Sequence, residues 1–204
     1  MEVFYEKDKL EVGLDEAGRG CLFGPVFTAG VIWNKTFHDD IKDSKRLTLK
    51  KRNKMQTYIK ENSVCYSVAK IDNNIIDDKN ILNATLDGWR QCLDEITEKT
   101  NIDLILVDGP NFNGYINKNL DVVSHICING GDNKYIPIAA ASILAKTYRD
   151  DYINKLVDDN PELNKYDIKN NKGYGTKKHL EAIKEYGITK WHRKSFGICK
   201  NYNV

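Results

Sequence analysis

Apolar positions along the chain recur with two periods, and the alternation between them lays out the elements. Residues 10–14 form a short apolar-rich run that closes at Asp15, and 25–33 form a second, rich in the β-favouring Val, Phe, Thr and Ile. The glycine-rich link between them suits a sharp connection between paired strands. From Thr48 to Glu61 the apolar positions fall at amphipathic-helix spacing within a charged segment, and 64–71 alternates as a strand does. Leu82, Leu86, Trp89, Leu93 and Ile96 recur every three or four residues, which predicts a helix over 81–96 with one apolar face. Residues 102–107 are a continuous apolar run stopped by Asp108-Gly109-Pro110, as in a buried strand, and 122–128 is a further strand. A long helix, Ala-rich at its start, is predicted over 136–156 and a shorter one over 177–186; the pattern after that is basic and assigns no element. The resulting order, strand, strand, helix, strand, helix, strand, strand, helix, helix, is an α/β layout around a mixed sheet.

The 204 residues suffice for one domain with a sizeable core, and no Pro-rich or Ser/Gly-rich run marks a linker. The formal net charge is only +2, so contact with nucleic acid has to come from local basic clusters. The strongest are Lys42–Arg46 with Lys50, Lys51 and Arg52, and the stretch from Lys169 to Lys200. No apolar run is long enough for a membrane span and the N-terminal residues lack a signal-peptide core. Five cysteines (Cys21, Cys65, Cys92, Cys127 and Cys199) without a C-x-x-C pair argue against a disulfide framework or structural zinc; each is expected as a small buried hydrophobe in a reducing cytoplasm.

Acids sit where such a sheet builds its sites. Two apolar runs end in Asp15-Glu16 and Asp108, and Asp132 follows a third after Asn129-Gly130-Gly131. Gathered carboxylates repel one another unless divalent cations neutralise them; Mg²⁺ and Mn²⁺ prefer such oxygen ligands, and two ions can activate a water and stabilise the leaving oxygen of a phosphodiester. Asp15 and Glu16 are adjacent and would point to opposite faces of a regular strand, so their joint use requires the strand to break or twist there; Ala17-Gly18-Arg19-Gly20 supplies that freedom and a candidate phosphate cradle. The acids alone also suit another nuclease of the same fold, or a binding module with a structural cation.

At these residues the chain resembles the ribonuclease HII family. Gly13-Leu-Asp-Glu-Ala-Gly-Arg-Gly20 followed by Gly24-Pro25 is similar to that family's opening block. Asp43-Ser-Lys-Arg-Leu47, Val107-Asp108-Gly109, Gly131-Asp132, Ala139–Lys146 through Arg149-Asp150, Lys172-Gly-Tyr-Gly-Thr176 and Trp191-His-Arg-Lys-Ser-Phe196 resemble its later blocks in order. The resemblance implies a ribonuclease H-like α/β fold, a mixed central sheet flanked by helices, in one catalytic domain whose residues from about 165 to 204 form a helical, basic, substrate-contacting region. It implies Asp15, Glu16, Asp108 and Asp132 as catalytic acids that hold one or two Mn²⁺ or Mg²⁺ ions. Gly18, Arg19 and Gly20 would read the ribonucleotide, Tyr174 would stack on the neighbouring sugar, and Lys45 and Lys146 would contact phosphates. The implied activity is endonucleolytic hydrolysis of the RNA strand of RNA–DNA hybrids and at ribonucleotides embedded in duplex DNA, leaving 3′-hydroxyl and 5′-phosphate ends. The expected partner is therefore nucleic acid, with the protein a cytoplasmic monomer; no paired-aromatic clamp-binding peptide is seen at the C-terminus. The short stretch before Asp15 and the presence of Arg19 favour the HII over the HIII type. The chain departs from the pattern at Gly130, where many members carry Lys.

Overall fold

The computed structural model describes residues 1–33, 36–38, 40–41 and 47–202. Its strands are β1 (Glu11–Ala17), β2 (Val26–Ile32), β3 (Cys65–Ile71), β4 (Leu104–Asp108), β5 (Tyr115–Ile116) and β6 (Val122–Ile128). They lie in the order β3-β2-β1-β4-β6-β5. β1 pairs antiparallel with β2 and parallel with β4, β4 pairs parallel with β6, and β3 and β5 close the two edges antiparallel.

Helices cover both faces. α1 (Leu49–Asn62) and α4 (Ile136–Asp159) lie on one, α3 (Ile81–Thr97) on the other. The period of two in β1 decides which residues meet which layer. Val12 and Leu14 pack with Leu86, Trp89 and Leu93 of α3, whereas Ala17 joins the alanines of α4 and Met55 and Ile59 of α1. Gly13, on the α4 side, allows an unusually close approach: a Cβ there would lie 2.3 Å from the Pro137 carbonyl carbon. The small residues at the start of α4 and this glycine together seat the helix on the strand that carries Asp15.

A third apolar cluster joins the end of α4 to the C-terminal segment. Its parts are α5 (Ile168–Asn171), α6 (Lys177–Tyr186) and 3₁₀ turns at Pro161–Tyr166 and Gly197–Asn201. Phe23, Ile153, Tyr166, Ile168 and Ile183 are buried within it. Residues 187–202, where the pattern assigned nothing, cross back over the loop after β1. Leu22 N–H donates to Gly173 O at 2.8 Å, Gly24 N–H to Trp191 O at 2.8 Å and Arg193 N–H to Leu22 O at 2.8 Å.

The structure corrects the sequence reading in several places. α2 (Asn73–Lys79) and the two-residue β5 were not anticipated. α2 is a polar heptapeptide of low helix propensity held by tertiary contacts, and β5 is too short to show a period. β1 does not end at Asp15 but runs on to Ala17, because its ladder with β2 continues through Asp15↔Ala29, Glu16↔Thr28 and Ala17↔Phe27. The five cysteines are free, but Cys65 and Cys127 are only partly buried, lying on β3 and β6 near the edges of the sheet.

Candidate active site

The site forms where the sheet opens. The parallel ladder between β1 and β4 ends at Leu14↔Val107, so Asp15 and Asp108 stand side by side just beyond it. Asp132 reaches the same place from a 3₁₀ turn (Gly131–Asn133) that follows β6. Gly130 enters that turn in the left-handed region (φ 64°), which favours glycine. Gly131 N–H donates to Asp108 Oδ1 at 2.7 Å, tying turn to strand. One carboxylate oxygen from each of Asp15, Asp108 and Asp132 lies within 4.8 Å of the others. Asp15 and Asp132 are buried.

Such a cluster is electrostatically poised. The Asp15 carboxyl is held well above the usual carboxylate range, first by burial and then by the charges of Glu16 and Asp108. A hydrogen bond from Ser142 of α4 and the Glu16 N–H, 2.7 Å from Asp15 Oδ1, work in the opposite direction. The Trp89 indole of α3 donates to the Asp15 carbonyl at 3.1 Å, fixing the backbone of this position from the other face of the sheet. An all-carboxylate oxygen donor set in a repelling cluster is the chemistry that suits a hard divalent cation.

Glu16 lies outside the set of carboxylate oxygens that stand within 4.8 Å of one another, although its charge still acts on Asp15. Its backbone continues the ladder with β2, and its carboxylate is 3.6 Å from the Arg19 guanidinium. It lines a cleft of about 190 Å³ together with Ala17, Gly18, Arg19, Gly20, Ser142, Lys146 and Tyr174. Ser142 thus connects the cleft to Asp15, and Gly18, Arg19, Gly20, Lys146 and Tyr174, all expected to meet a substrate, share a single depression. Tyr174 is 44% exposed. Lys146 is ion-paired with Asp150 at 2.7 Å, and Asp150 also pairs with Arg52 at 3.2 Å. Lys45 lies outside the described residues.

Two buried arginines hold this cleft in shape, and the sequence pattern assigned neither a role. Arg193 donates to the carbonyls of Gly24, Arg19 and Gly18 at 2.9, 2.9 and 2.7 Å. Arg149 donates to those of Pro25, Lys172 and Phe23 at 3.1, 2.8 and 3.0 Å. With its carbonyls drawn inward, the Gly18–Gly20 loop is clamped to the C-terminal segment. Gly18 (φ 92°) is required for this packing, since a Cβ would fall 1.9 Å from Arg149 Nε. No local signal announces such partners, which apart from Lys172 are backbone carbonyls more than a hundred residues away; only the presence of Arg149 and Arg193 within recognisable blocks marked them.

The fold is that of the ribonuclease H type. A structure titled as the ribonuclease H2 from Pyrococcus horikoshii OT3 superposes with a TM-score of 0.71 at 22% identity, covering 94% of this chain and 95% of that one. A second, titled as the PCNA:RNase HII complex from Archaeoglobus fulgidus, gives 0.69 at 24%, covering 93% and 96%. The family model described as Ribonuclease HII matches residues 12–199. Ribonuclease HII of Christiangramia forsetii is 46% identical over 96% of this chain and 94% of its own, and that of Bacteroides thetaiotaomicron 42% over 96% and 93%. The chain belongs to the ribonuclease HII family, and is thus a ribonuclease H, a hydrolase of the RNA in RNA–DNA hybrids.

Proposed function

We propose that this protein cuts at ribonucleotides, both in hybrids and singly embedded in duplex DNA, and that Asp15, Asp108 and Asp132 hold the divalent ion that the cleavage needs. The observation that carries this is the convergence of three carboxylates at one sheet end, beside a cleft lined by the Gly18–Gly20 loop and Tyr174. The donors suit Mg²⁺ or Mn²⁺, which when bound would activate a water and stabilise the leaving oxygen. Glu16, the fourth acid, contributes from the cleft side, where Arg19 orients it.

Recognition belongs to the chain's own groups. RNA is told from DNA by the 2′-hydroxyl, both donor and acceptor, and a glycine loop lets backbone groups approach it closely. Tyr174 offers a half-exposed ring on which the next sugar stacks, and Lys146 places a cation for the phosphate beside it. Residues 165–204 form the substrate-contacting part of a single domain that acts as a cytoplasmic monomer. Among the described residues, no helix is long and apolar enough to cross a membrane.

The test is a product map on duplex DNA with a single ribonucleotide, in Mg²⁺ and in Mn²⁺, beside an all-DNA duplex. Cleavage confined to the ribonucleotide, with 3′-hydroxyl and 5′-phosphate ends, is expected. Equal cutting of the all-DNA duplex would refute the recognition reading.

A further inference from the structure

His179 and His192 are completely buried behind the cleft and touch none of the acids. Their hydrogen bonds have a fixed direction. Thr189 N–H donates to His192 Nδ1 at 2.9 Å, so that nitrogen carries no proton and Nε2 does. His192 Nε2 faces His179 Nε2 at 3.1 Å, which must therefore accept. The His179 proton then sits on Nδ1, 2.9 Å from the carbonyl oxygen of Tyr174. The chain runs Thr189 N–H to His192 to His179 to the Tyr174 carbonyl, with both rings neutral and each in a single tautomer. An added proton would set two donors face to face. Burial holds both imidazoles below the usual histidine range, His192 at about 3. The rings around the pair are uncharged near neutral pH: Phe23 meets His192 edge-on at 5.1 Å, and Tyr166 lies 5.1 Å from His192 and 6.3 Å from His179.

The end of this chain is the backbone of the residue that flanks the cleft. Gly173, just before it, is pinned in the left-handed region (φ 86°) against Phe23, and the Tyr174 N–H donates to Asn171 O at 3.0 Å. Thr176 N–H shares the Tyr174 carbonyl at 2.8 Å. We propose that His179, held in its tautomer by His192, is a positioning residue that fixes the Tyr174 backbone and thereby aims its ring at the sugar beside the cut. The inference rests on the reading of Tyr174 as the stacking residue.

Two substitutions separate positioning from packing. In His179→Asn the amide nitrogen falls near the Nδ1 site and keeps a donor for the Tyr174 carbonyl. In His179→Gln the amide reaches the Nε2 site, keeping His192 and abandoning Tyr174. Both lose the ring, so a purely structural role affects them alike. Measured are kcat and KM on a duplex with one ribonucleotide and on a long hybrid, beside Tyr174→Ala and wild type. A misplaced reacting geometry costs up to about a hundredfold, so His179→Gln should lower the ratio of single-site to hybrid kcat/KM by about tenfold or more. It should move toward Tyr174→Ala, with His179→Asn within about threefold of wild type. Equal ratios for the two histidine variants, with Tyr174→Ala shifted, would overturn the positioning role alone. An unshifted Tyr174→Ala would overturn the stacking reading and this inference with it. Should either variant fold poorly, the imidazole ¹⁵N spectrum of the wild-type protein decides: Nε2–H on His192 and Nδ1–H on His179 are required, and any other pairing contradicts the proposal.

Discussion

At the scale of single residues, the site turns on how a carboxylate behaves among others. Asp15 is held above its ordinary range in the fold, whereas in the unfolded chain it titrates near about 3.9. Between those two values the folded state binds the extra proton, so stability falls as pH rises through that window, and above it the ionised cluster carries a standing cost. Asp108 is one source of that cost. Its Oδ1 also accepts the Gly131 N–H, which an asparagine amide oxygen can equally do. Asp108→Asn is therefore expected to abolish cleavage while leaving the melting temperature in chelator unchanged or raised by up to a few degrees. A large fall would mean that Asp108 serves the fold rather than the reaction. Asp15, Asp108 and Asp132 were legible in the sequence because apolar runs ending in acids place side chains at a sheet end. That β1 stays regular through Glu16 was not, since it depends on pairing with β2 that continues two residues past Asp15. Arg149 and Arg193 were invisible as supports because most of their partners are remote in sequence, and His179 and His192 because nothing in the local pattern announces that their rings meet.

At the scale of elements, the spacing between β1 and α4 sets the site. Ser142 reaches Asp15 only because the helix start lies against Gly13. Gly13→Ala inserts a methyl where the Pro137 carbonyl carbon already stands at 2.3 Å from the Cβ position, against rigid backbone that cannot rotate away. Overpacking of this kind costs about 1–3 kcal/mol, and for a chain of this size each kcal/mol lowers the melting temperature by about 2–4 °C. A drop of roughly 2–12 °C is expected by calorimetry, with cleavage reduced beyond what the folded fraction explains. An unchanged melting temperature would show that α4 docks with slack. The long periodic segments, α1, α3, α4 and the buried strands, were readable because burial imposes a period on their sequence. α2 and β5 were not, since their conformation comes from the neighbours they dock against rather than from their own pattern.

At the scale of the whole molecule, two layers of helices and a C-terminal segment are organised around one sheet end. The sheet and α4 bring the aspartates together, while Arg149 and Arg193 fasten the C-terminal segment to the loop after β1 and the histidine chain ties that segment together internally. On the proposed reading, chemistry and recognition come from different parts of the fold and meet in the cleft that Ser142 and Glu16 line. The basic C-terminal stretch, in which the pattern assigned only the helix over 177–186, is where the proposed recognition half is anchored. The central claim is that three aspartates form one ion site, and calorimetric titration of Mn²⁺ into wild type, Asp15→Asn, Asp108→Asn and Asp132→Asn tests it directly. Each substitution removes one charged oxygen donor and should weaken binding by about tenfold or more, since site affinity follows ligand charge. Wild-type affinity retained in all three variants would contradict the account.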